Sequence, residues 1–171
     1  MSAPLLLLTD EIATPLGAFT LIADEAGRLH AAEWTDCADR VERSLRLLHP
    51  EGYSLERARN PGGNSAALRA YFAGDIAVLD KLAVAEFGTP FQRLMWRNLR
   101  KVKAGTTLSY GAFARRIGKP AAIRAVGAAN GANPISVVVP CHRLVGADGA
   151  LTKYGGGLHR KQWLLEHEGA A

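Results

Sequence analysis

The sequence predicts an α/β N-terminal domain followed by a mainly α C-terminal domain that contains a helix-turn-helix. Three observations lead there. Residues 1–86 carry 8 Lys/Arg against 13 Asp/Glu, whereas residues 87–171 carry 13 against 3. Strand-like runs cluster before that charge break, and helical spacings dominate after it. The break lies beside the turn-like Gly88-Thr89-Pro90, so the domains are expected at residues 1–86 and 87–171.

A chain of 171 residues with 48% hydrophobic content is globular rather than disordered. The early run Leu5-Leu6-Leu7-Leu8 lacks a basic flank, a small-residue cleavage site and the length to span a bilayer, so a soluble cytoplasmic protein with no membrane partner is expected. The two cysteines, Cys37 and Cys141, lie far apart with no paired spacing, which excludes a disulfide framework or a zinc site; no metal and no cofactor is expected.

In the N-terminal part, Ala18 to Ala23 and Leu29 to Trp34 read as strands joined by a hairpin loop at Asp24-Glu25-Ala26-Gly27. Val41, Leu45 and Leu48 recur at helical spacing, as do Leu68 and Phe72 after the breaker run Asn60-Pro61-Gly62-Gly63-Asn64. The C-terminal part opens with Thr89 as a cap, Pro90 at the first helical position and Gln92 completing a capping box. Phe91, Leu94, Met95, Leu99 and Val102 form the buried stripe of that helix, and Gly105 is expected to stop it. A short helix fits Tyr110 to Ile117, ending at Gly118; a second starts after Lys119-Pro120 and runs to about Gly131. Two short helices joined by a tight turn, with Arg124 early in the second, match a helix-turn-helix, although an ordinary helical hairpin gives the same pattern. Val137-Val138-Val139 reads as a buried strand. Trp34, Trp96 and Trp163 are expected in cores, and His30, His159 and His167 at the surface or at helix ends.

Between Phe87 and Ala147 there is no Asp or Glu but ten cations: Arg93, Arg97, Arg100, Lys101, Lys103, Arg115, Arg116, Lys119, Arg124 and Arg143. Solvated faces normally mix signs, so this exclusion points to a polyanion, with nucleic acid the commonest case. The second helix of the pair, AAIRAVGAANG, is lean. Ala125 and Ala128 let its backbone approach a groove or another helix, and few long polar side chains remain to read base edges.

Pro140-Cys141-His142-Arg143 sets a thiol beside an imidazole in the most cationic part of the chain. Positive surroundings favour the thiolate, the nucleophilic form, and His142 is placed to take the thiol proton if a kink or a water connects the two. A carboxylate would orient the ring, with Asp148, Glu166 and Glu168 as candidates in this half. A Cys/His hydrolase and a lesion-sensing module without chemistry are the competing readings; the first leaves the cationic surface unused, and the second has no use for the cysteine.

The strings GTPFQRLMW, SYG, IRAVGAANG, NPISVVVPCHRLVG, YGGGLHRKQWLL and HEG resemble those of the O6-alkylguanine-DNA alkyltransferases, also called methylated-DNA–protein-cysteine methyltransferases, across Gly88 to Gly169. IATPLG, NPGG and YFAG resemble the bacterial constitutive branch more loosely. The resemblance implies a ribonuclease H-like N-terminal domain and irreversible transfer of an alkyl group from O6-alkylguanine in double-stranded DNA to Cys141. O4-alkylthymine is a further candidate substrate. It implies that His142 relays a proton through a water to Glu168, that Asn133 holds the active-site turn, and that Tyr110 assists protonation of the leaving guanine. Arg124 would enter the stack vacated by an extruded base, with Ala125, Ala128 and Gly131 on the same DNA-binding helix. Tyr154, Gly155 and Val139 would line the base pocket, and Lys153 and Gly155 depart from residues common in relatives. A monomer is expected, with cooperation along DNA as a further candidate behaviour.

Overall fold

A computed structural model describes residues 3–170; the outermost residues of the two expected domains, 1–2 and 171, lie outside the described residues. The chain divides into two compact units. The first contains the residues up to Glu86 together with Pro134–Val138, and the second contains Phe87–Asn133 and Val139 onward.

In the first unit, β1 (Leu5–Thr14), β2 (Gly17–Asp24), β3 (Leu29–Trp34) and β4 (Tyr53–Arg57) form one sheet in the order β3-β2-β1-β4. The first three are antiparallel neighbours, and β4 runs parallel to β1. Alternation along β1 sends its side chains to two faces. Leu7 packs with Ile22, Ala31 and Leu45 beneath α1 (Ala38–Leu48). Three positions on, Asp10 faces the opposite side, where its carboxylate accepts from the Ser65 hydroxyl at 2.6 Å and the Asn60 amide at 3.1 Å at the start of α2 (Asn64–Phe72). Phe19 stacks edge-on with Trp34 and Phe72 on that same side. The sheet is thus covered on both faces.

Three expectations change here. Leu5 to Leu8, read only as an apolar run, belongs to a ten-residue strand, and exposed β4 carries no apolar alternation that would reveal it. His30 is buried rather than superficial: its Nε2 lies 2.9 Å from the Asp24 carboxylate and its Nδ1 3.1 Å from His49 Nε2. The break at residues 86/87 is crossed by five residues, because Ile135 bridges to Ala32 beside β3 and the Ser136 hydroxyl donates to Glu33 at 2.9 Å.

The second unit starts with α3 (Pro90–Leu99). The Thr89 hydroxyl accepts from the Gln92 amide at 3.1 Å while the Gln92 side chain accepts from the Thr89 amide at 3.0 Å, the reciprocal box that the sequence predicts. Met95, Trp96 and Leu99 are its buried face. The helix ends at Leu99, six residues before Gly105, which serves a different purpose described below. Helix α4 (Tyr110–Arg116) is capped by the Ser109 hydroxyl, and α5 (Ile123–Gly131) starts two residues later than expected because Lys119 to Ala122 form a turn of their own. The Trp96 indole donates to the Ala129 carbonyl at 2.9 Å, supplying one of the partners that the last turn of a helix cannot find within itself. Val126, Ala129 and Asn130 form the buried side of α5, leaving Arg124, Ala125, Ala128 and Gly131 exposed. The two-residue strands β5 (Leu108–Ser109) and β6 (Leu144–Val145) pair in parallel, and α6 (Leu158–His167) closes the unit. Among the described residues no helix is long and apolar enough to cross a membrane.

Candidate active site

The segment preceding Cys141 is not the strand that its valines suggest. Val137, Val138 and Val139 are all buried, which accounts for their apolar character, but their backbone turns instead of pairing. The Val138 amide donates to the Ser136 carbonyl at 2.9 Å around Val137, whose φ is +73°, and the Cys141 amide donates to the Val139 carbonyl at 2.8 Å around Pro140. These are successive three-residue turns, the first in a region that costs a β-branched residue roughly 1–3 kcal/mol and persists only where surrounding contacts enforce it. One enforcing contact comes from Asn133, 2% exposed, whose Nδ2 donates to the Val139 carbonyl at 2.8 Å and ties together the two ends of the excursion. Val139, expected to line a base pocket, contributes a carbonyl to this turn and a side chain that is 2% exposed.

Pro140 delivers the chain into a single 3₁₀ turn, Cys141–Arg143, and all three side chains are buried. Cys141 is 7% exposed. His142 is fully enclosed, with Nε2 2.9 Å from the Glu168 carboxylate at the end of α6. Arg143 grips the same carboxylate through Nε at 2.9 Å and Nη2 at 3.0 Å, while its Nη1 donates to the Val102 carbonyl. Burial works to raise the Glu168 pKa, but the hydrogen bonds and charges of His142 and Arg143 overcome it and hold the carboxyl well below the usual carboxylate range. Burial pushes His142 down, helped by Arg143 and Lys161 and opposed by Glu168. The ring is therefore neutral near pH 7. An ionised carboxylate only accepts, so the proton sits on Nε2 and the free lone pair on Nδ1. That Nδ1 is buried and has no hydrogen-bond partner among the described residues.

Two features place other groups around this turn. The β5/β6 pairing sets Ser109 against Val145, fixing the start of α4 beside the strand that follows Arg143. Tyr110, the first residue of α4, lies with its hydroxyl 3.1 Å from that of Thr152. Thr152 opens the loop carrying Tyr154 and Gly155, and cations of α6 hold that loop by its backbone: Lys161 Nζ donates to the Thr152 carbonyl at 2.9 Å, and Arg160 Nη1 to the Gly156 carbonyl at 3.1 Å. Lys161 is 0% exposed; burial lowers its pKa, and the charge of a Cys141 thiolate pulls it partly back.

The structure thus brings together Cys141, His142, Glu168, Asn133 and Val139, with Tyr110 and Tyr154 linked through the Thr152 loop. Arg124, Ala125, Ala128 and Gly131 lie apart on the exposed side of α5. Sequence reasoning passed over Arg143, which it counted among the surface cations although it is 7% exposed, and also over Lys161 and Asn130. The available signal for Arg143 was the scarcity of acids: a cation folded next to one of the few candidate carboxylates has a partner before any solvent is considered. Among the described residues no group of His, Cys, Asp and Glu could hold a metal ion.

Residues 90–170 match the family model described as 6-O-methylguanine DNA methyltransferase, DNA binding domain, and residues 8–85 match its ribonuclease-like domain. A methylated-DNA–protein-cysteine methyltransferase of Salmonella typhimurium is 54% identical over 164 residues, covering 95% of this chain and 96% of its own. One from Mycolicibacterium paratuberculosis is 52% identical over 161 residues, covering 91% and 88%. Among solved structures, Mycobacterium tuberculosis OGT in complex with DNA superposes with a TM-score of 0.77 at 36% identity, covering 96% of this chain and 93% of its own. The O6-methylguanine-DNA methyltransferase of Pyrococcus kodakaraensis gives 0.64 at 26% identity, covering 95% and 99%.

Proposed function

The chain belongs to the 6-O-methylguanine DNA methyltransferase family and repairs alkylated DNA by direct alkyl transfer to itself, and from that premise we propose which of its residues carry out the transfer. Cys141 is the acceptor. His142 Nδ1 takes the thiol proton through a water, Glu168 fixes the tautomer that makes this possible, and Arg143 keeps Glu168 ionised. The thiolate attacks the alkyl carbon, a carbon–sulfur bond forms as the carbon–O6 bond breaks, and the electron pair leaves with guanine. Tyr110 supplies the proton guanine needs, and the proton released by the thiol restores the balance. The product is a thioether, a poor leaving group, so each molecule reacts once.

The target atom is stacked inside duplex DNA, and the nucleotide must be extruded to meet a cysteine that is 7% exposed. Helices α4 and α5 act as a helix-turn-helix, with Arg124 filling the vacated stack and Ala125, Ala128 and Gly131 allowing the helix to approach the groove. The acid-free run and the exposure of these four residues support this assignment. The strand order of the first unit, with β4 parallel to β1, and its family match support reading that unit as ribonuclease H-like. Tyr154 and Gly155 wall the base pocket.

The observation that carries the mechanism is the enclosed His142, bonded at Nε2 and open at Nδ1, which directly follows in the chain the only buried thiol among the described residues. Incubation with a duplex containing O6-methylguanine, followed by intact-mass measurement and peptide mapping, is expected to show one added methyl group on Cys141 and none in Cys141→Ser. Methylation elsewhere, or repeated turnover by one molecule, would refute it.

A further inference from the structure

Strand β3 is terminal in its sheet, and its outer edge starts a parallel ladder with the residues that lead to Cys141. The Ala32 amide donates to the Pro134 carbonyl at 3.0 Å, and the Ser136 amide donates to the Ala32 carbonyl at 2.9 Å, which pairs Ala32 with Ile135. A parallel ladder repeats every two residues. Its next step would pair Trp34 with Val137, the Trp34 amide donating to the Ser136 carbonyl and the Val138 amide to the Trp34 carbonyl. Three successive β-branched residues favour that continuation. Both donors are diverted instead. The Val138 amide turns back to the Ser136 carbonyl at 2.9 Å, and the Trp34 amide donates to Oε1 of Glu33 at 3.1 Å.

Glu33 is 2% exposed, and its other oxygen, Oε2, accepts from the Ser136 hydroxyl at 2.9 Å and from Arg40 Nη1 at 3.1 Å. One carboxylate thus takes the amide that the next step of the ladder needs and grips the residue from which that step would begin. A buried ion pair adds little net stability over apolar side chains of the same shape, so its contribution lies in the conformation it selects. We propose that Glu33 is a positioning residue for Cys141, ending the ladder at Ile135 so that Val137 turns at φ +73° and the chain enters Pro140 in the arrangement that seats the thiol. This rests on the reading of Cys141 as the alkyl acceptor. Without Glu33 the Trp34 amide is free to take the Ser136 carbonyl, Val137 relaxes to extended backbone, and the two tight turns ahead of the thiol open.

The test is the single-turnover rate of Cys141 methylation by the full-length protein at saturating O6-methylguanine duplex, below the onset of unfolding of every variant. Glu33→Ala should react about tenfold more slowly than wild type, the order expected when a strained residue is no longer held. Glycine adopts positive φ without strain and disfavours strand, so in a Val137→Gly background the turn forms with or without the carboxylate. There the same Glu33→Ala change should alter the rate less than about twofold, a coupling that a merely stabilising carboxylate would not produce. A wild-type rate in Glu33→Ala overturns the proposal even if the variant melts earlier. A loss of equal size in the Val137→Gly background overturns it too. Should Glu33→Ala fail to fold, Ser136→Ala, which leaves the Glu33–Arg40 pair in place, decides instead: slower methylation is expected, and the wild-type rate overturns the proposal. Absence of methyl on Cys141 in wild type is the distinct failure of the acceptor reading itself.

Discussion

Glu168 accepts a 2.9 Å hydrogen bond from Nε2 of His142, and that bond decides which nitrogen of the ring is left to act as a base. Replacing the carboxylate by an amide removes the decision, since an amide can donate to Nε2 as readily as it accepts from it. Glu168→Gln is expected to slow alkyl transfer roughly a hundredfold, the typical worth of a positioned base. Rapid-quench rates on a methylated duplex measure this, and a loss smaller than threefold would remove Glu168 from the relay.

Arg143 and Glu168 are both enclosed, so their pairing belongs to the class in which losing one partner strands a charge. Arg143→Ala should cost roughly 3–5 kcal/mol of stability in urea unfolding. Arg143→Lys should recover only part of it, because an ammonium cannot reproduce the forked contact with both carboxylate oxygens. Full recovery by lysine would show that charge alone matters.

Lys161 is a buried cation that donates to the neutral Thr152 carbonyl rather than to a carboxylate. Its charge is therefore available to a thiolate at Cys141. In Lys161→Met, alkylation of Cys141 by iodoacetamide should require a higher pH than in wild type. An unchanged pH profile, with only a lower melting temperature, would reduce Lys161 to a support for the loop.

Acidification should weaken the fold in two stages. His142 has a lowered pKa in the native state, so below about pH 6.5 the unfolded chain binds a proton that the folded chain does not, and stability falls with pH. The depressed Glu168 contributes stability that is complete above about pH 4.3 and is lost as pH drops further. His49, lowered by burial and by His30, adds to the first stage with the same sign. Urea midpoints between pH 8 and 5.5 should therefore decline in wild type and decline less in His142→Gln; equal slopes would contradict the assignment.

Gly105 has φ +82°, and a Cβ placed on it would meet the Glu168 backbone oxygen at 3.1 Å. Gly105→Ala should cost about 1–2 kcal/mol from the left-handed backbone and also displace the end of α6. Loss of alkyl-transfer rate beyond that expected from stability would report the displacement, and crystallography of the variant would locate it.

Local signals explain which features were legible in the sequence. The Thr89–Gln92 box and the two short helices around Gly118 are encoded by neighbouring residues, so they can be read without the fold. The Val137 to Val139 run was misread because β-branched residues signal burial as much as strand pairing, and only Asn133, reaching over six residues, shows that the chain turns. Exposed β4 has no periodic apolar face, since its partner β1 supplies the order. The motif singles out Cys141, His142 and Glu168, which the structure brings together, whereas Asn130 and Lys161 look in sequence like the end of a helix and a solvated charge. Their contacts around the Cys141 turn form only after distant segments meet.

The carboxylate that equips His142 lies 26 residues further along the chain, past the loop held by Lys161 and at the far end of α6. A nascent polypeptide made only as far as Arg143 holds the thiol and the imidazole but no acid to orient them. Its sulfur should behave as an ordinary cysteine on the ribosome and gain its reactivity only when α6 docks.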